Sequence, residues 1–230
     1  MIAGIRYLIF LLVVIAPLAI FGQQTTDFNF NNVNVGIPDD DLSGVQTSEV
    51  VSGVPGTISS IQVSLDIAGT PTAYDGDYFV ELINGTGGFA VLLNRVGVNS
   101  NSSFGYGDNG FDVTFSDAAA NDIHLYQEYG YTLNPGGQLT GTWQPDGENF
   151  YNPSSDSAFD NAQNQQTAML SSFTGQNVDA TYTLYLADLA SGATGQLVSW
   201  SLAITTVPEP STYGLLAAGL IFLGAGFWKK

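Results

Sequence analysis

The chain has 230 residues and a formal net charge of −17 at pH 7, with 21 acidic residues against 4 lysines and arginines. Such an acidic surface repels nucleic acid and anionic lipid, which excludes a nucleic-acid-binding function. Hydrophobic residues make up 44% of the chain, enough for the packed core of one sizeable domain. The sequence has no cysteine, which excludes disulfides, thiol nucleophiles and thiolate zinc sites.

The first 22 residues have the features of an export signal. Arg6 supplies a positive charge ahead of the unbroken apolar run at residues 8–15, and Pro17 ends the apolar region before polar Gln23. These features predict a cleaved signal peptide over residues 1–22. The alternative is a retained membrane anchor, which is disfavoured because the run is shorter than the roughly 20 residues that a helix needs to span a bilayer.

The central part of the chain, residues 23–206, is patterned as strands and turns. Residues 58–67 alternate between apolar and polar, as expected for a strand with one buried face. Further strands, separated by turns rich in glycine and asparagine, are predicted at residues 78–83, 89–93, 111–115, 181–187 and 196–204. One short helix is predicted within residues 158–170. This spacing of strands predicts an all-β, antiparallel β-sandwich.

Two further relations are predicted among these strands. The last two strands are expected to pair with each other through the loop at residues 188–195. In the last strand, Leu197 and Ser199 are expected to face one way, with Val198, Trp200 and Leu202 on the opposite, apolar face. The predicted core residues are Ile61, Val63, Leu65, Leu82, Leu184, Leu186, Trp200 and Leu202.

The end of the chain carries a second targeting signal. The sequence Val207-Pro208-Glu209-Pro210 precedes an apolar stretch at residues 213–228 and two terminal lysines. A proline-rich stop, an apolar stretch just long enough to span a bilayer and terminal cations predict a transmembrane helix with a cytoplasmic basic end. A plain tail anchor is the alternative. The order of these parts resembles the PEP-CTERM sorting signal of Gram-negative bacteria, although the basic end is shorter than is usual there.

The PEP-CTERM resemblance implies a route and a location. Residues 207–230 would be a sorting tail that the membrane protease-transpeptidase exosortase recognises, with Val207, Pro208, Glu209 and Pro210 as the sorting motif. The tail would hold the chain transiently in the inner membrane and would be removed or exchanged near this motif. The mature protein is then expected at the cell surface or outside the cell, with exopolysaccharide or other surface components as partners.

Two blocks of the central part resemble the P domain (P/Homo B domain) of proprotein convertases. The first is DGDYFVEL at residues 75–82, and the second joins residues 183–188 to GQLVSWSL at residues 195–202. One departure is Tyr182, which stands where the family usually has tryptophan. The resemblance spans about residues 35–205 and implies a jelly-roll-like sandwich.

The P-domain resemblance does not imply a catalyst. P domains usually follow a subtilisin-like protease domain, and they are described as endopeptidases only because of that neighbour. We expect no such protease domain in this chain. His124 is the sole histidine and no Gly-x-Ser-x-Gly elbow occurs, so a Ser-His-Asp triad is not expected. Glycoside hydrolases use a pair of carboxylates, but in a chain with this many acids such pairs are expected without any catalytic role. We therefore expect no enzymatic activity, with a hydrolase as a remote alternative.

Calcium is the metal that the sequence favours. It binds several oxygens from flexible loops, and Asp75 and Asp77 lie two residues apart in one acidic turn. The P-domain resemblance implies Asp77 and Asp188 as ligands. With residues 1–22 and 207–230 set aside, Arg95 is the only lysine or arginine against 20 of the 21 acids, Glu209 being in the tail. The alternative is that these acids only stabilise turns. Zinc is disfavoured by the single histidine and the missing cysteine.

Two functions of different class remain. The first is a non-catalytic structural or interaction module at the cell surface or in exopolysaccharide. The alternative is a secreted carbohydrate-binding module, in which exposed aromatic rings stack on sugar rings. The candidate stacking residues are Trp143, Tyr151, Tyr126 and Tyr129. Aromatic side chains of a sandwich more often belong to its core, which favours the first function.

Overall fold

The computed structural model describes residues 23–149 and 166–207, which belong to one compact unit. The predicted signal peptide, the predicted sorting tail beyond Val207 and most of the predicted helix at residues 158–170 lie outside the described residues. No helix within the described residues is long and apolar enough to cross a membrane.

The residues that the structure describes are mostly β-strand, as the sequence predicts. Short 3-10 helices occur at Asp75–Asp77, Ile123–Glu128 and Leu170–Phe173. The strands are β1 (Gln24–Phe30), β2 (Val35–Ile37), β3 (Asp41–Val51), β4 (Thr57–Gly69), β5 (Tyr78–Asn84), β6 (Phe89–Asn94), β7 (Gly110–Phe115), β8 (Leu139–Trp143), β9 (Ala180–Asp188) and β10 (Gly195–Val207).

These strands form two sheets. The six-stranded sheet has the order β1-β10-β4-β7-β8, with β2 also paired to β10, and the four-stranded sheet has the order β3-β9-β5-β6. The named strands pair antiparallel, as predicted, except that β7 and β8 run parallel. The jelly-roll-like connectivity stays a prediction.

The predicted pairing of the last two strands is wrong. These strands are β9 and β10, and they lie in different sheets. β9 pairs with β3 and β5, whereas β10 pairs with β1, β2 and β4. Alternation of apolar and polar residues identifies the buried face of a strand but carries no information about its neighbours.

A β-bulge in β10 corrects the predicted facing of its side chains. Leu197 lies opposite Ile67 and Ser199 lies opposite Asp66, so the extra residue between them interrupts the alternation. Leu197 therefore points into the core together with Trp200, although the two are three positions apart. The prediction is correct for Trp200 and Leu202 but wrong for Leu197, and Val198, the extra residue of the bulge, is only half-buried.

The core lies between the two sheets. All eight predicted core residues are buried, and they belong to one cluster that draws side chains from both sheets, such as Leu65 of β4 and Leu184 of β9. The sheets therefore pack face to face as a sandwich. Burial of each aliphatic side chain of this size contributes about 1.5–3 kcal/mol relative to exposure, which is how a domain without disulfides holds together.

Candidate functional site

Asp75 and Asp77 lie in a short 3-10 helix that leads directly into β5. The N–H of Gly76, between them, donates to the carbonyl of Tyr106 at 2.8 Å. Glycine is required at this position because a Cβ would collide with the carbonyl oxygen of Phe104. The loop at residues 104–106 therefore packs closely on the acidic turn and helps to bury both carboxyl groups.

The pairing of β5 with β9 brings Asp77 and Asp188 to the same end of the four-stranded sheet. Tyr78 lies opposite Asp188 in the antiparallel register, and the Leu189 N–H donates to the main-chain carbonyl of Asp77 at 2.8 Å. Both side chains are buried, with 3% of Asp77 and 1% of Asp188 exposed. One oxygen of Asp188 accepts a hydrogen bond from the Ala190 N–H at 3.2 Å.

Burial, together with repulsion from neighbouring acids, raises the pKa values of both acids at this sheet end. Burial, followed by repulsion from Asp188, raises the pKa of Asp77 to about 7, and the nearby Arg95 opposes this rise only in part. Burial also raises the pKa of Asp188 to about 6, with the Ala190 N–H opposing the rise and the charge of Asp39 adding to it. A divalent cation would offset this excess of negative charge.

Asp75 makes separate contacts. Its two oxygens accept hydrogen bonds from the Gly110 N–H at 2.7 Å and the Tyr126 hydroxyl at 3.0 Å, and that hydroxyl also lies 2.8 Å from a carboxylate oxygen of Asp108. Burial raises the pKa of Asp75 well above its ordinary value. These contacts brace the acidic turn against β7. Within the described residues, Asp75, Asp77 and Asp188 do not converge as three ligand atoms within 4.8 Å of one another.

A pocket of about 450 Å³ opens beside Asp77. It is lined by Tyr74, Asp77, Phe104, Gly105, Tyr106, Gly107, Ser191 and Gly192, and we call it the Asp77 pocket. Two of its aromatic side chains face solvent, since 79% of Phe104 and 45% of Tyr74 is exposed. Aromatic faces beside a carboxylate can bind a ligand that has both apolar and hydroxyl surfaces.

The aromatic residues predicted to stack on sugars lie elsewhere. Trp143 and Tyr126 are buried in the core and contact each other edge to face at a centroid distance of 6.2 Å, so the prediction is wrong for both. Tyr129 is exposed, and Tyr151 lies outside the described residues. Phe104 was missed because it sits alone in a loop of glycine, serine and asparagine, where no periodic pattern marks it.

His124 is buried, and both of its ring nitrogens have hydrogen-bond partners. Nδ1 lies 2.9 Å from Oδ2 of Asp146, and Nε2 lies 3.1 Å from the carbonyl oxygen of Val98. Because a carbonyl only accepts, Nε2 carries a hydrogen. Burial lowers the pKa of His124, but the charge of Asp146 and its hydrogen bond outweigh burial and raise the pKa to about 9. A serine triad would direct Nε2 at its nucleophile, so the geometry does not match one.

The comparisons with known proteins bear mainly on the end of the chain. A family model for the PEP-CTERM protein-sorting motif matches residues 206–230. This match confirms the predicted sorting signal and indicates an exported protein that exosortase targets. Of the matched residues, the structure describes Thr206 and Val207. No curated protein matches the chain.

Among the solved structures that are similar to this chain are two that contain the serine protease of Aeromonas sobria. The serine protease of Aeromonas sobria is 16% identical, with a TM-score of 0.41 over 81% of this chain and 27% of that chain. A chain from the complex of the Aeromonas sobria serine protease with its chaperone (ORF2) is 15% identical, with a TM-score of 0.41 over 80% of this chain. The present chain spans 27% of the length of each.

Proposed function

We propose that the chain is a non-catalytic, P-domain-like module that exosortase sorts to the cell surface or releases into exopolysaccharide. The observation that carries this proposal is the sorting motif at residues 206–230. The acidic, cysteine-free domain supports it, because a high net charge favours solubility outside the cell and the core replaces disulfides. The P-domain part rests on the sequence blocks at residues 75–82 and 195–202.

The purified full chain is expected to leave a broad panel of peptides and glycans uncleaved. The reason is that the sole histidine, His124, is buried and bonded through Nε2 to a main-chain carbonyl. Product formation is measured by mass spectrometry over several hours. Cleavage by the wild type that disappears in both His124→Ala and His124→Gln would contradict the non-catalytic proposal.

A secreted carbohydrate-binding module is the second candidate, and the Asp77 pocket is the observation that favours it. A glycan array probed with the full chain separates the two candidates. Binding that Phe104→Ala abolishes and Val50→Ala retains would select the sugar-binding function. Val50 is the matched control because it is a hydrophobic residue with 73% exposure that does not line the pocket.

We further propose that calcium binds at the sheet end where Asp77 and Asp188 meet and that it mainly stabilises the fold. The support is the excess of buried negative charge there, which Arg95 opposes only in part. Calcium sites of extracellular modules have dissociation constants of about 10⁻⁴–10⁻³ M, which suits an ion that is abundant outside the cell.

Calcium at ten times such a dissociation constant is expected to stabilise the full chain by about 1.4 kcal/mol and to raise Tm by about 3–6 °C. Thermal unfolding is compared in calcium and in chelator at matched ionic strength, which removes simple screening. Asp77→Asn and Asp188→Asn should lose the shift, whereas the control Asp112→Asn, which changes an exposed acid of β7, should keep it. Equal midpoints for the wild type would end the calcium proposal, and an unchanged shift in Asp77→Asn would refute this site.

A further inference from the structure

We propose that His124, Asp146 and Glu148 form a buried binding site for a divalent transition-metal ion such as Zn²⁺, separate from the Asp77–Asp188 pair. The potential ligand atoms of the three side chains all lie within 4.8 Å of one another. The side chains are withdrawn from solvent, with 3%, 0% and 1% of these residues exposed in that order. A small movement of the carboxylates would bring all three to the metal–ligand distances of about 2.0–2.2 Å that zinc requires.

Hydrogen bonds to β6 hold the main chain of Asp146 and Glu148 and one carboxylate oxygen of Asp146 in place. The loop after β8 is bonded to β6, since the Asp146 N–H donates to the Leu92 carbonyl at 3.1 Å. Asn94, the last residue of β6, donates its N–H to Oδ2 of Asp146 at 3.1 Å and its side-chain amide to the Glu148 carbonyl at 3.0 Å. The two acids are therefore held by a core strand, as a preorganised site requires.

His124 is oriented as a metal-binding histidine is oriented. It lies in the 3-10 helix Ile123–Glu128, and the side chain of the N-cap residue Asp122 accepts a hydrogen bond from the His124 N–H at 2.9 Å. Its Nε2–H is directed at the Val98 carbonyl, which fixes the ring and turns Nδ1 towards Asp146. Donation of the second ring N–H to a carbonyl or carboxylate is the usual support of a ligating imidazole.

Two buried carboxylate oxygens of the cluster are available to bind a cation. Oδ1 of Asp146 and Oε2 of Glu148 are buried, and neither receives a hydrogen bond from an N–H or hydroxyl group of the described residues. Buried carboxylate oxygens are otherwise paired or bound to a metal. Arg95 is the only lysine or arginine in residues 23–206, and it has partners elsewhere. Its guanidinium donates a hydrogen bond to the Ser103 carbonyl at 3.0 Å, and its charge opposes the rise in the pKa of Asp77.

The donor set selects the class of ion. One imidazole nitrogen with two carboxylates suits zinc and its first-row neighbours, whereas calcium and magnesium prefer oxygen ligands alone. Three protein ligands would leave a fourth tetrahedral position for a water molecule or a second carboxylate oxygen. The composition of the chain, with one histidine and no cysteine, disfavours zinc. Composition does not reveal that Asp146 and Glu148, more than 20 positions further along the chain, converge on that histidine.

The test measures metal content and thermal stability of the full chain. Because the three ligands are buried, the ion is expected to enter during folding, so the chain is stripped with chelator in denaturant and refolded with Zn²⁺, Mn²⁺ or Ca²⁺. We expect about one transition-metal ion per chain and, with Zn²⁺ at about 100 times its dissociation constant, a rise in Tm of about 5–10 °C. Refolding without bound transition metal and without a shift in Tm would overturn the proposal. The buried acids of the cluster would then be stabilised by protonation instead of by a metal ion.

Two substitutions assign the effect to this cluster. Glu148→Gln keeps the shape of the side chain and is expected to weaken Zn²⁺ binding by at least about 100-fold while retaining the calcium shift. The matched control Asp77→Asn, which alters a buried acid of the other site, should retain the Zn²⁺ shift and lose the calcium shift. Asp146→Asn is a second probe should Glu148→Gln fail to fold. A Zn²⁺ shift that persists in these cluster variants would refute the assignment.

Discussion

Truncation of Trp200 to alanine is expected to lower the free energy of unfolding by about 3–5 kcal/mol, which is a large part of the stability of an ordinary domain. Trp200 lies in β10 and 2% of it is exposed. It lies opposite Phe30 on one side and Leu65 on the other, and its ring centroid is 4.5 Å from that of Phe30. The substitution therefore opens a cavity where β1, β10 and β4 meet.

Chemical denaturation of the full chain, followed by circular dichroism, measures this loss. Trp200→Phe retains most of the packed volume and should lose clearly less stability than Trp200→Ala. Val50→Ala is the surface control, and its effect should stay within about 0.5 kcal/mol. A loss below about 1 kcal/mol for Trp200→Ala would show that the core is not packed around this side chain.

The metal-free protein is expected to lose stability as the pH rises from about 4 to about 8, the reverse of ordinary acid denaturation. The folded state raises the pKa of Asp77 from 3.8 to about 7 and that of Asp188 from 3.8 to about 6. Because both values lie above those of the unfolded chain, the folded state holds these protons more tightly. The resulting stability is fully present below pH 4 and is lost as the pH rises through 6 and 7.

The expected loss is about 2–4 kcal/mol, allowing for screening by water in the Asp77 pocket. Denaturation midpoints are measured in chelator across this pH range. Asp77→Asn removes one titrating group and should lose less stability over the same interval, whereas Asp112→Asn should behave as the wild type. Stability that rises from pH 4 to pH 7 in the wild type would contradict the description of these buried acids.

The sequence predicted the β-sandwich core because its signal is local. In β4 every second side chain is apolar from Ile61 to Ile67, and these side chains are buried as expected. The alternation carries no such information about strand partners, which is why β9 and β10 were wrongly paired. The bulge at Val198 also escaped prediction, since it depends on how β10 meets Ile67 and Asp66 across the sheet.

The candidate sites show the same division between local and long-range information. Asp77 and Asp188 are predicted as calcium ligands from a family resemblance that includes the residues next to them in sequence. The register of β5 with β9 then brings the two acids to the same end of the sheet. The cluster of His124, Asp146 and Glu148 has no comparable signature. It depends on main-chain bonds between the loop after β8 and β6, which the sequence does not reveal.

Intact-mass spectrometry of the protein recovered from the cell surface and the medium tests the central claim most directly. If exosortase sorts this chain, the mature protein begins near Gln23 and ends near Pro210, without the apolar stretch and the two terminal lysines. The same measurement on cells that lack exosortase should find the C-terminus uncut and the protein retained in the membrane. An intact C-terminal Lys230 on surface protein from wild-type cells would contradict exosortase processing and favour a plain tail anchor.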